Sequence, residues 1–413
     1  MDFLKKLSEI WKKISLVQRI AIGLVIGITL ALTLGEHVSF ISIFGNLFVG
    51  ALKAIAPILV FILVMAAICK QQSGGKTNLK AFITLSFIGM MTASVLGITV
   101  SFIFPTTLEL HDVVAEEVSA PSGIVEVLLN ILMNLVDNPV NALANANYIG
   151  VLMWSVLFGI ALQKLANDGT KEMIANFSDA VTSVVRFVIS LAPLGIMGLV
   201  YSSIMESGLD VLLGYGRLIL ILVGTMLFAA LVMNPLISFI VMRQNPYPLV
   251  FRALKESGIT AFFTRSSAAN IPVNLALCEK LHLNKDTYSV AIPLGATINM
   301  AGAAITISVL SMAAAHTVGI TVDFPTALIL CILATLSATG ASGVAGGSLL
   351  LIPLACSLFG IPDTISMQVV GVGFIIGVVQ DSCETALNSH SDVVYLGSLE
   401  GRRLRKEGKK LEV

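Results

Sequence analysis

Asp381, Thr385, Asn388 and Asp392 share one face of the last long apolar segment of the chain. Offsets of four, seven and eleven residues bring them within about 60° of one another on a helical wheel, as a single polar stripe. Two carboxylates in a segment otherwise fit for lipid are costly, and persist where they face a cavity and bind something charged. Asp381 suits an ammonium group. Asn388 and Asp392, with Asn299 and the backbone carbonyls near Gly295, Thr297 and Met300, supply the oxygens that a hard monovalent cation needs.

Two interruptions lie upstream of that stripe. The first reads Thr264-Arg265-Ser266-Ser267-Ala268-Ala269-Asn270-Ile271-Pro272, the second runs from Ser337 through Gly340-Ala341-Ser342-Gly343 to Ser348. The apolar arms around each are about 10 to 14 residues long, too short to cross a bilayer, and suit re-entrant hairpins. Unwound backbone at membrane depth is tolerated where it lines a cavity, and helix N-termini at hairpin tips suit a carboxylate. The site therefore reads as one for a zwitterion plus a cation. Ordinary loops or small-residue packing faces are the plainer reading of either stretch alone. Two of them in matching positions, each followed by a polar-bearing helix, form an inverted repeat around a midplane site.

Of 413 residues, 56% are hydrophobic and 12% charged, with zero net charge and a mean hydropathy of +0.92. A soluble domain carries about a quarter charged residues, so this is an all-α polytopic membrane protein. Long unbroken apolar runs exclude an outer-membrane β-barrel. Spans are expected at about 17–35, 42–69, 80–104, 124–163 (interrupted), 174–201, 211–241 and, last, 365–397. With about eight crossings and both termini in the cytoplasm, most Lys and Arg fall inside, while acidic 105–123 falls outside. Lys53 and Arg217 run against that trend, and Arg186 is expected within the membrane with no partner evident. Residues 1–19, with lysines opposite Phe3, Leu7, Ile10 and Ile14, predict an interfacial amphipathic helix rather than a cleaved signal. The five scattered cysteines read as buried thiols without metal spacing.

Over 265–392 the chain resembles the glutamate-transporter family of dicarboxylate and amino-acid:cation symporters. The resemblance rests on Arg-Ser-Ser at 265–267, Gly-Ala-Thr-Ile-Asn-Met at 295–300, Gly-x-x-Gly-Val at 340–344 and the Asp/Thr/Asn/Asp stripe. It implies a homotrimer with a static scaffold (20–78 and 124–205) and a transport domain (79–104 and 206–400) that slides through the bilayer. Hairpin 1 is then about 249–280, the broken helix 287–317, hairpin 2 about 325–359 and the last helix 365–397, with a basic cytoplasmic tail at 401–413. By the same resemblance Asp381 meets the substrate's amino group, while Ser266, Ser267, Gly343 and Asn388 meet its backbone, with Thr385 in the same stripe. Gly295, Asn299, Asn388 and Asp392 match one sodium site, and carbonyls of Thr297, Ala338, Thr339 and Ala341 a second.

Two departures carry information. Ala301 stands where the glutamate carriers have an aspartate serving a third sodium, which predicts fewer coupled ions. Glu384 stands where they have an arginine for the substrate's carboxylate. A glutamate there repels acidic substrates and can accept a hydrogen bond from a hydroxyl, or it is a structural partner of a nearby group. Asn-Met-Ala-Gly-Ala-Ala at 299–304 resembles the bacterial members that carry serine and threonine. The expectation is an inner-membrane symporter, not an enzyme, that imports L-serine and L-threonine with sodium as co-transported ion and no cofactor. Two alternatives stay open: a proton-coupled neutral amino-acid carrier of the same fold, and remotely a rhomboid-like protease built on Ser342 and His390. Asp137-Asn138-Pro139 reads as a helix break, and Arg265 as a compensating charge at the hairpin tip.

Overall fold

The computed structural model describes residues 14–70, 78–110, 129, 132–208, 210–341, 346–409 and 411, and every regular element among them is helical. Helix α1 (Leu16–Thr33) starts at a capping box: Ser15 Oγ accepts from Gln18 N while Ser15 N donates to Gln18 Oε1. Residues 16–19 therefore open the first span instead of closing an interfacial helix, and 1–13 lie outside the described residues. Helices α2 (Ser42–Lys70) and α3 (Leu79–Ile103) follow as expected. The interruption near Pro139 lies just before short α4 (Pro139–Ala144), and a second break at 145–147 separates α4 from α5 (Tyr148–Leu165). Asn138 caps α4, and Asp137 accepts from the side chains of Asn141 and Asn147, so this polar knot is a helix break.

The span expected at 174–201 is not one helix. It divides into α6 (Asp168–Ser190) and α7 (Ala192–Ser207) at Leu191, because Pro193 has no N–H to continue the ladder. Arg186 is exposed on amphipathic α6. Helix α8 (Asp210–Phe228) passes through a π-helical turn (Ala229–Met233) into α9 (Asn234–Met242).

Hairpin 1 climbs through α10 (Tyr247–Ala253), a second π turn (Leu254–Gly258) and α11 (Ile259–Thr264), then returns as α12 (Ser267–Lys280). Its break is narrower than the sequence predicts. Only Arg265 and Ser266 are non-helical, since Ser266 Oγ accepts from Ala269 N and restarts the helix at once, with Pro272 inside it. The broken helix is α13 (Lys285–Ile298) and α14 (Ala301–Thr317), separated at Asn299 and Met300. Hairpin 2 comprises α15 (Phe324–Ala338) and a return arm ending in α16 (Ile352–Ser357). The last helix, α17 (Asp363–Lys406), outruns its predicted end and takes in the first basic residues of the expected tail. Arg403 bridges Glu400 and Glu407 there, and cations suit the last turn of a helix.

Among the described residues seven helical stretches are long and apolar enough to cross a membrane, and the apolar stretches of α1, α7 and α15 are shorter. They pack in two groups: α1, α2, α5, α6 and α7 on one another, and α3, α8, α9, both hairpins, α13 and α14 around α17. Between them, α2 and α7 face the first half of α17 across a cavity of about 410 Å³ lined by Val49, Lys53, Leu199 and Gln368. The two bases that run against the charge trend both find partners. Lys53 Nζ lies 2.9 Å from Asp363 Oδ2, and Arg217 donates to Pro105 O.

Helix α14 is buried on every side from Ala301 to Ala315, which its small residues permit. A Cβ on Gly302 would stand 2.7 Å from Glu384 O and 2.8 Å from its Cα, so α17 rests directly on α14 there. Gly302→Ala must push two backbones apart, a change worth about 1–3 kcal/mol. Purified Gly302→Ala is expected to unfold at lower temperature than wild type in detergent. An unchanged transition would contradict the packing.

Candidate substrate and cation site

The whole α17 stripe is buried: Asp381, Thr385, Asn388 and Asp392 are each at most 6% exposed. Charged groups held that way need partners, and the structure supplies them from both hairpins. Arg265 Nε, from the tip of hairpin 1, donates to Asp381 Oδ2 at 2.7 Å, and Arg265 Nη2 donates to Gly377 O at 3.2 Å. Gly346 N, from hairpin 2, donates to Asp381 Oδ1 at 2.9 Å. Asp381 is thus where the hairpins meet on α17. It is expected to receive an ammonium group, yet here it already has an internal cation, so the reading of Arg265 as a compensating charge has a geometric basis.

One turn on, Glu384 Oε2 collects three donors: Gln380 Nε2 at 2.6 Å, Thr306 Oγ1 at 2.7 Å and Ser348 Oγ at 2.8 Å. Three polar side chains converge on this one oxygen and hold it in place. Glu384 therefore ties α17 to α14 and to the return arm of hairpin 2. Around it two buried carboxyl groups, Asp381 and Glu384, face one base, Arg265, an arrangement that disfavours an anionic ligand.

Further along α17 the partners become amides. Asn388 Oδ1 accepts from Gly302 N at 2.7 Å and its Nδ2 points to Met300 Sδ. Asn299, in the break between α13 and α14, donates through Nδ2 to Asp392 Oδ1 and Ser391 Oγ, both at 2.9 Å. Its Oδ1 is buried with no partner among the described residues. Gly295 lies against Asp392, since a Cβ there would overlap the carboxylate. A buried carboxyl group that, among the described residues, meets a neutral amide, beside an orphaned amide oxygen, fits a hard cation bound by oxygens. Among the described residues no three His, Cys, Asp or Glu side chains cluster, so the donor set is not one for a transition metal.

The remaining predicted residues are placed as follows. Ser266 Oγ is used as the α12 cap, and buried Ser267 begins that helix. Thr297 is in the last turn of α13, its hydroxyl on Leu294 O. Ala338 and Thr339 close α15; the Ala338 carbonyl accepts from Ala341 N at 3.0 Å. Gly343 and Ser342 lie outside the described residues. At the expected third-ion position Ala301 has no side-chain oxygen, and the neighbouring Met300 N points to Met90 Sδ. Sequence reasoning missed Thr306, Ser348 and Gln380. Gln380 lies four residues before Glu384, so a helical i,i+4 search from Glu384 finds it.

A helical membrane protein with two re-entrant hairpins closing on a buried carboxylate stripe is a secondary carrier. The chain belongs to the sodium:dicarboxylate symporter family, whose profile matches residues 16–397. It is similar to the serine/threonine transporter SstT of Streptococcus agalactiae serotype Ia, serotype V and serotype III. Each is 57% identical over 392 residues, covering 95% of this chain and 97% of the relative. The protein is accordingly a membrane transporter and not an enzyme, which removes the protease reading of Ser342 and His390. His390 is fully buried in α17.

Proposed function

We propose that this chain imports L-serine and L-threonine by sodium symport across a bacterial inner membrane, both termini in the cytoplasm, as a homotrimer. The observation that carries the substrate choice is Glu384, a carboxylate beside the Asp381–Arg265 pair, in a chain so similar to carriers named for serine and threonine. Asp381 receives the ammonium group. Asn388 and the hairpin tips, Ser266, Ser267 and Gly343, hold the amino-acid backbone, and Thr385 completes the stripe. Sodium takes Asp392, Asn299, Asn388 and the Gly295 carbonyl. A second sodium takes carbonyls of Thr297, Ala338, Thr339 and Ala341.

The two packing groups support an elevator movement, α1, α2, α5, α6 and α7 acting as scaffold and the rest moving against them. The boundary is crossed by the part-exposed Lys53–Asp363 pair, a kind of contact worth little and easily broken. The cation-rich end of α17 supports a cytoplasmic C-terminus.

Binding tests this reading. Serine and threonine should raise the unfolding temperature of the purified protein in sodium chloride and leave it unchanged in choline chloride, with no effect of aspartate in either. Stabilisation by serine in choline would favour a proton-coupled carrier. Replacing the charge at 384 gives a sharper result. Glu384→Arg should cut serine uptake at least about tenfold and let aspartate compete, because the carboxylate that rejects acids becomes a base that pairs with them. Unchanged serine uptake with no competition by aspartate would remove Glu384 from substrate selection.

A further inference from the structure

We propose that Gln380 is the residue that recognises the substrate's hydroxyl, an inference that rests on the serine and threonine reading above. Gln380 is fully buried, precedes Asp381 (the residue that takes the ammonium group) by one position on α17, and belongs to the polar cluster around Glu384. Its Nε2 donates to Glu384 Oε2 at 2.6 Å and to Thr306 Oγ1 at 2.7 Å. These contacts fix the orientation of the amide, because turning it over would press its oxygen against a carboxylate oxygen. The amide oxygen, Oε1, is then buried with no hydrogen-bond partner among the described residues.

A buried acceptor without a donor is unfavourable, and a site that keeps one is built for a ligand that brings the donor. A β-hydroxyl brings one. Glu384 Oε2 is already served by three donors, so its part is to hold the Gln380 amide in place and to exclude acids. Glu384 positions and Gln380 reads. Alanine has no hydroxyl and leaves Oε1 unpaired, and a site built around a hydroxyl rejects the analogue that lacks it. L-allo-threonine has the same groups as L-threonine with the β-carbon inverted, so its hydroxyl points elsewhere.

The test is competition against sodium-driven uptake of labelled serine, in wild type and in Gln380→Met, which keeps length and removes the amide. Wild type should prefer serine over alanine, and threonine over allo-threonine, on the order of tenfold to a hundredfold, the worth of one buried hydrogen bond. Gln380→Met should lose most of both preferences, serine falling toward alanine and threonine toward allo-threonine. Equal competition by serine and alanine in wild type would overturn the assignment without any variant. Unchanged preferences in Gln380→Met would overturn it too, leaving a buried water as the partner of Oε1. Absence of sodium-driven serine uptake in wild type would instead sink the functional reading itself.

Discussion

Asp381→Asn should lower serine uptake at least about a hundredfold, since the substitution removes one partner of a buried, hydrogen-bonded ion pair and with it the group proposed to take the ammonium. Breaking such a pair by deleting one side leaves the other charge uncompensated, at a cost of about 3–5 kcal/mol. Here that charge is Arg265, 8% exposed at the tip of hairpin 1. The variant therefore combines two losses, one in binding and one in stability, and a second variant separates them. Asp381→Asn with Arg265→Leu removes both charges and should recover the unfolding temperature without recovering serine binding. If Asp381→Asn alone transported serine within a few-fold of wild type, Asp381 would be a structural partner of Arg265 and nothing more.

Asp392→Asn should raise the sodium concentration for half-maximal uptake by about tenfold or more. Asp392 is 1% exposed, and among the described residues its hydrogen-bond partner is the neutral Asn299 amide, which does little to offset its charge. A cation coordinated by the carboxylate, the orphaned Asn299 Oδ1 and nearby carbonyls would offset it. Asparagine keeps the shape and removes the charge, so the fold around Gly295 should survive while sodium affinity falls. Serine affinity measured at saturating sodium should move much less. A sodium dependence identical to wild type would place the ion elsewhere.

Much of this architecture was legible because membrane depth makes polar residues conspicuous. The stripe on α17 shows as a period in an apolar segment, and all four of its members are buried. Both hairpins show as breaks between short apolar arms, rich in Ser and Ala in the first and in Gly and Ser in the second. Boundaries were harder to read, for local reasons. Capping by Ser266 shrinks the first break to two residues, Pro193 divides a span that hydropathy alone joins, and α17 runs on through residues whose charge reads as tail. The partnerships were hardest. Arg265 and Asp381 are 116 positions apart, and Thr306 and Glu384 are 78 apart. No periodicity joins residues on different helices. Gln380 carries no signal in the sequence, since a lone glutamine on a helix is usually a surface residue, and its burial and unpaired acceptor mark it out in the structure.

The central claim is sodium-driven serine transport. Its most direct test is uptake of radiolabelled L-serine into proteoliposomes of the purified protein under an inward sodium gradient, with choline as the control cation. Unlabelled threonine, aspartate and glutamate serve as competitors. The account predicts accumulation only with sodium, blocked by threonine and untouched by either acid. Equal uptake in choline would contradict sodium coupling, and block by aspartate would contradict the role given to Glu384.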